Sequence, residues 1–156
     1  MLSTEAQELS ELLVVKGLTI SVAESCTGGS LSHVITSIPG ASSYFDCGYI
    51  TYSNQSKVEM LGVDTQTIKT YGAVSEEVAL EMVIGATTKS HSDVAISITG
   101  VAGPTGVTPE KPVGTVCFGF SCDGKTSAST QLFSGDRASI VSQSVSYALM
   151  QLSLRF

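Results

Sequence analysis

Two hydrophobic periods alternate along this chain, and few folds accommodate both. Leu18, Ile20 and Val22 recur at every second residue, as do Val94, Ile96 and Ile98 within 93–99, which puts each set on one side of its segment; that is the period of a strand. Around them run segments of helical spacing: Ala6, Leu9, Leu12, Leu13 and Lys16 before the stop at Gly17, Val78, Met82, Val83 and Ala86 after Ser75, and Ile140, Val141, Val145, Ala148, Leu149 and Leu152 after Asp136. Ser75 and Asp136 are N-cap residues, and Glu76 and Glu77 stand where a helix start favours acids. The same reading places strands at Tyr44 to Thr51, Val113 to Phe120 and Thr126 to Phe133, the last two joined through a hairpin turn at Asp123-Gly124. It places shorter helices after Gly28-Gly29, ending before Pro39-Gly40, and after Asn54, read as the cap of a helix with Val58, Met60 and Leu61. Helices that precede, separate and follow strands make an α/β domain, and the hairpin makes its sheet mixed. The expected fold is a three-layer α/β/α sandwich forming a single domain over residues 1–156.

Composition narrows what such a domain does. With 156 residues and 42% apolar content the chain is one ordered domain. It carries 14 acids against 8 bases, a net charge of -6, and no Lys/Arg cluster. Nucleic acid is therefore not an expected partner, because no basic footprint faces phosphates. No apolar run approaches the length of a membrane span, so no membrane partner is expected. The acidic N-terminus is unlike a secretory signal, and a cytoplasmic location is the expectation. Cysteines 26, 47, 117 and 122 form no Cys-x-x-Cys pair, and His33 and His91 form no ligand pair with them. The expectation is reduced thiols and no metal.

With 24 Ser and 16 Thr in the chain, a Ser means little outside a pattern. Four segments and one arginine supply patterns. Ala23-Glu24-Ser25-Cys26-Thr27-Gly28-Gly29 stands at a strand's C-terminal end, where α/β sheets bind ligands and helix N-terminal N–H groups attract anions. Ser25 there suits a nucleophile, with the N–H groups of Thr27, Gly28 and Gly29 as an oxyanion site; a simple helix cap is the other reading. Lys57 in Thr51-Tyr52-Ser53-Asn54-Gln55-Ser56-Lys57 suits a base if a helix start and burial lower its pKa; a surface lysine is the other reading. The loop Thr99-Gly100-Val101-Ala102-Gly103-Pro104-Thr105-Gly106 offers accessible N–H groups to an anion, or is a connector. Pro109-Glu110-Lys111-Pro112 orients a polar group or is a solvated turn. Arg137 at a helix start points to an anionic partner or to a surface ion pair.

Together, AESCTGG (23–29), PGASSYF (39–45), TYSNQSK (51–57), GAVSEEV (72–78), TGVAGP (99–104), PEKPVGTV (109–116) and SGDR (134–137) resemble, in order and spacing, the CinA C-terminal domain family. The resemblance runs from about residue 5 to 152. It implies a nicotinamide-nucleotide amidase that hydrolyses the carboxamide of nicotinamide mononucleotide (NMN) to nicotinate mononucleotide and ammonia, with no cofactor. It further implies Ser25 as nucleophile, Lys57 as base, Ser42 and Tyr52 as assisting residues, and a homo-oligomer, often a dimer. Thr27, Gly28, Gly29, Thr99, Gly100, Ala102, Gly103 and Arg137 are the candidate substrate contacts. The alternative is a catalytically silent paralogue that binds a nucleotide or a protein.

Overall fold

In a computed structural model that describes residues 3–156, the elements run α1 (Thr4–Lys16), β1 (Ile20–Glu24), α2 (Ser30–Thr36), a 3-10 turn (Ala41–Ser43), β2 (Phe45–Ile50), α3 (Asn54–Leu61), α4 (Thr65–Tyr71), α5 (Glu76–Ser90), β3 (Val94–Gly100), β4 (Thr115–Cys122), β5 (Lys125–Leu132) and α6 (Arg137–Ser153). The five strands form one sheet in the order β2-β1-β3-β4-β5. β1 pairs parallel with both β2 and β3, whereas β4 pairs antiparallel with β3 and with β5. This is the expected mixed sheet.

Chain direction fixes the layers. The path from β1 to β2 steps one way along the sheet, and the path from β2 to β3 steps back past β1. Right-handed crossovers then put α2 on one face and α5 on the other. The sheet is built for this asymmetry. Ile20, Val22, Val94, Ile96, Ile98, Val116, Phe118 and Phe120 face α1, α2 and α6 in one core. The opposite face carries Ser21, Ala23, Ala95, Ser97, Cys117 and Gly119, small enough for α5 to lie close. The Ser97 hydroxyl donates to the Ala79 carbonyl of α5 at 2.6 Å, and a Cβ on Gly119 would meet that carbonyl oxygen at 2.4 Å. Ala23, Ala95 and α5's Val78, Met82, Val83 and Ala86 close the second core with Leu61 and Val63.

Two local expectations change. The cap of α3 is Ser53, not Asn54: Ser53 and Ser56 exchange side-chain-to-backbone bonds in a capping box. Lys57 is therefore the fourth helical residue. α4 is an addition; Asp64 caps it and none of its residues is buried, so it leaves no apolar stripe for a periodicity argument to find. The direction of the strand path reverses around β1, so the C-terminal ends of β1, β2 and β3 open on one crevice, where ligands bind in open α/β sheets.

Candidate active site

Ser25 follows the last residue of β1 and is buried. Both neighbouring strands hold its backbone. The Thr51 N–H donates to the Glu24 carbonyl at 2.8 Å, and the Ser25 N–H to the Ile98 carbonyl at 2.9 Å. The Glu24 side chain, fully buried, turns under the next residues and accepts five hydrogen bonds: from the Thr27 hydroxyl at 2.6 Å, the N–H groups of Gly29, Leu31 and Ser32, and the Ser32 hydroxyl. A protein carboxylate thus satisfies the free N–H groups at the start of α2.

That arrangement corrects one expectation. The Thr27 hydroxyl and the Gly29 N–H belong to Glu24, and the Gly28 N–H donates to the Ser25 carbonyl at 3.0 Å. Gly28 and Gly29 instead line a groove of about 710 Å³ between α2 and α6 with His33 and Val141. Around the nucleophile turn, the N–H groups of Cys26 and Thr27 are the ones left without a partner among the described residues. Glu24 lies inside the AESCTGG string, and a carboxylate followed by Gly-Gly and a helix was the available signal for its capping role.

Lys57 meets Ser25 across the crevice. It is 1% exposed, and its Nζ donates to the Ser25 Oγ at 3.0 Å and to the Thr51 carbonyl at 2.8 Å. Burial holds the Lys57 pKa below its usual value, because an ammonium loses hydration there. The position in the helix that first suggested a lowered pKa is not the cause. Cys26, beside the nucleophile, has its thiol pushed up to about 12 by burial, so it stays protonated and does not rival Ser25. The Thr51 hydroxyl is buried without a hydrogen-bond partner among the described residues; its carbonyl is what the site uses.

These groups open into a cavity of about 270 Å³ lined by Ser25, Lys57, Tyr52, Asn54, Ala73, Val74, Thr99, Arg137 and the loop Gly100–Gly103 with Thr105 and Gly106. Arg137 bridges its mouth, donating to the Gly103 carbonyl at 2.8 Å and to the Tyr52 hydroxyl at 2.7 Å. Both acceptors are neutral, so this is not a surface ion pair. The N–H groups of Ala102 and Gly103 have no partner among the described residues. Thr99 reaches the cavity, but its hydroxyl donates to the Ala73 carbonyl at 2.8 Å. Gly100 is tight for another reason: a Cβ there would meet Val116 at 2.8 Å and the Cys26 Sγ at 3.1 Å.

The structure brings Ser25, Lys57, Tyr52, Thr99, Gly100, Ala102, Gly103 and Arg137 to one cavity. It does not bring Ser42 there. Ser42 lies exposed in the turn before β2, at the opposite end of the sheet from Ser25, roughly 16 Å away by strand length. Asn54, Ala73 and Val74 were missed. Asn54 was read as a cap, a role Ser53 holds, and Ala73 and Val74 carry no chemical signal of their own.

The sequence matches the model of the CinA C-terminal domain family over residues 2–156. It is 45% identical over 161 residues to the nicotinamide-nucleotide amidohydrolase PncC of Escherichia coli, spanning 100% of this chain and 98% of that one. It is 48% identical over 149 residues to the protein of the same name from Enterobacter agglomerans, spanning 95% and 90%. The fold is similar to the crystal structure of the competence damage-inducible protein A from Klebsiella pneumoniae, with a TM-score of 0.94, 34% identity, and 97% and 94% of the two chains covered. With the family model matched from end to end and full-length relatives well above 30% identity, the chain belongs to the CinA C-terminal domain family.

Proposed function

We propose that this protein is a nicotinamide-nucleotide amidohydrolase that converts NMN and water to nicotinate mononucleotide and ammonia, with Ser25 as nucleophile and Lys57 as base. The observation that carries the reading is the buried contact of 3.0 Å between the Lys57 Nζ and the Ser25 Oγ, in a chain similar along its length to enzymes of that name.

The geometry supports the following chemistry. Neutral Lys57 accepts the Ser25 proton while Oγ attacks the carboxamide carbon. The N–H groups of Cys26 and Thr27 are placed in the nucleophile's own turn to receive the developing oxyanion. Lys57, now an ammonium held by the Thr51 carbonyl, returns the proton to the leaving nitrogen, so ammonia departs and an ester on Ser25 remains. Water, deprotonated by Lys57, then cleaves the ester, releasing the carboxylate and restoring Ser25. Arg137 and the free N–H groups of Ala102 and Gly103 are the proposed anion contacts, and Tyr52 carries Arg137 to the cavity mouth. Ser42 has no part in this reading as one chain presents it. The reading follows the family resemblance to a homo-oligomer, and four free cysteines fit a reducing cytoplasm. Among the described residues no helix is long and apolar enough to cross a membrane.

The test is ammonia release from NMN by purified protein, with nicotinate mononucleotide appearing in equal amount. Ser25→Ala and Lys57→Met are each expected to lower kcat by about a thousandfold or more while melting as cooperative folds. A folded wild-type protein that releases no ammonia leaves the silent paralogue standing, and turnover retained in either variant overturns the roles.

A further inference from the structure

The Pro109-Glu110-Lys111-Pro112 segment is unused by that mechanism, yet its lysine reaches the segment that leads into the cavity wall. The chain from Val101 to Gly114 is irregular. Its first part lines the cavity, and its second part turns back through paired bonds between Thr108 and Lys111. From that turn the Lys111 Nζ donates to the Tyr71 carbonyl at 2.5 Å. Tyr71 is the last residue of α4, and the last carbonyls of a helix lack helical partners; a lysine is a fitting donor for one of them. The approach is permitted by Gly72, where an added Cβ would stand 2.9 Å from the Lys111 Nζ. Two residues on, the Thr99 hydroxyl holds the Ala73 carbonyl at 2.8 Å. Ala73 and Val74 then form the cavity wall.

We propose that Lys111 is a positioning residue: with Thr99 it clamps segment 71–74, the cavity wall across from the glycine loop, and so sets where the substrate ring lies relative to Ser25. The same lysine ties both walls together, because its own loop carries the Val101–Gly106 stretch. Lys111 acts through this wall and touches no reacting atom. A rigid wall matters because small displacements of a bound reactant from a near-attack position lose large factors in rate.

The inference rests on the amidase reading for its kinetic readout. In Lys111→Met, kcat/KM for NMN is expected to fall about tenfold or more, mainly through kcat. Amide hydrogen exchange at residues 72–75 is expected to quicken. The midpoint of the pH–rate profile, a property of Lys57, stays in place, and the melting temperature holds within about 2 °C, as for a surface change. Lys111→Arg keeps a long cationic donor and is expected to restore most of kcat and of the exchange protection. Wild-type kinetics and exchange in Lys111→Met overturn the proposal, as does a loss that merely follows the fraction unfolded and that Arg does not rescue. If the wild-type protein releases no ammonia from NMN, the amidase reading fails instead; exchange at 72–75 needs no substrate and still decides the clamp.

Discussion

Lys57 is buried, with its nitrogen between two oxygens, Ser25 Oγ and the Thr51 carbonyl. Neither oxygen is a carboxylate, so the lost hydration of an ammonium outweighs what offsets it, and the pKa falls below 10.5. Two measurements read this one titration. As pH rises through the folded-state value, Lys57 becomes neutral and kcat/KM for NMN is expected to climb to a plateau before the ordinary lysine range. A profile flat from acid to alkaline pH overturns the base assignment. Stability moves with the same sign. Between the lowered folded value and the unfolded value the unfolded chain binds the proton and the folded chain does not, so unfolding becomes harder as pH rises through that window. Below the window both states hold the proton and the burial penalty is present in full. Lys57→Met has no such proton, so its urea-unfolding free energy is expected to change less with pH than wild type as pH approaches the ordinary lysine range from below. Equal slopes in the two proteins would mean that Lys57 titrates normally.

α3 is the element that delivers this lysine, and its seat is a glycine on α5. A Cβ at Gly85 would stand 2.0 Å from the Leu61 carbonyl oxygen, at the end of α3. In an open helix interior, Gly→Ala gains about 1 kcal/mol. Here the added methyl meets backbone that cannot swing aside, and overpacking of that kind costs about 1–3 kcal/mol. The clash wins, so Gly85→Ala is expected to lower the melting temperature and, by shifting α3, to lower kcat as well. A higher melting temperature would show that α3 yields freely. The same elements show what a sequence makes legible. β1, β3, α5 and α6 were readable because each buries a periodic stripe, and β5, with hardly an apolar residue, because the Asp123-Gly124 turn announces its partner strand. α4 was not readable because it packs a single apolar side chain, Ile68, against the second core and buries none fully. The pairing of Ser25 with Lys57 came from family resemblance; its geometry depends on the β1–β2 register, in which Glu24 faces Ile50. Of the expected oxyanion donors, the Thr27 N–H stays free, whereas the Gly29 N–H is taken by the protein's own Glu24 and the Gly28 N–H by the Ser25 carbonyl, because a helix start attracts any acceptor nearby. Ser42 was misplaced because proximity along a motif says nothing about which end of a strand a residue occupies.

On the scale of the whole molecule, a protein of net charge -6 has to admit a substrate bearing a phosphate. The opposing charges act over different distances. The scattered acids repel an approaching anion from afar, and at about 0.1 M salt, interactions beyond about 10 Å are largely screened. Arg137 acts at contact, at the mouth of a cavity whose nearby acceptors are a carbonyl and a phenol, where salt screens less. Added salt should therefore remove repulsion faster than attraction. KM for NMN is expected to fall, or hold, as sodium chloride rises from about 10 mM to about 150 mM. This is the reverse of an enzyme that steers its anion with a basic surface. Arg137→Gln keeps a donor but loses the charge; a hydrogen bond to a charged group is worth about 1.5–3 kcal/mol, so KM is expected to rise about tenfold to a hundredfold, with the melting temperature little changed. In that variant the cation at the mouth is gone while the acids' repulsion remains, and its KM should fall more steeply with salt than the wild type's. A wild-type KM that climbs several-fold with salt would mean that a positive field, absent from this surface, draws the substrate in. A salt response unaltered by Arg137→Gln would place the phosphate away from Arg137, and the free N–H groups of Ala102 and Gly103 would then be its proposed contacts.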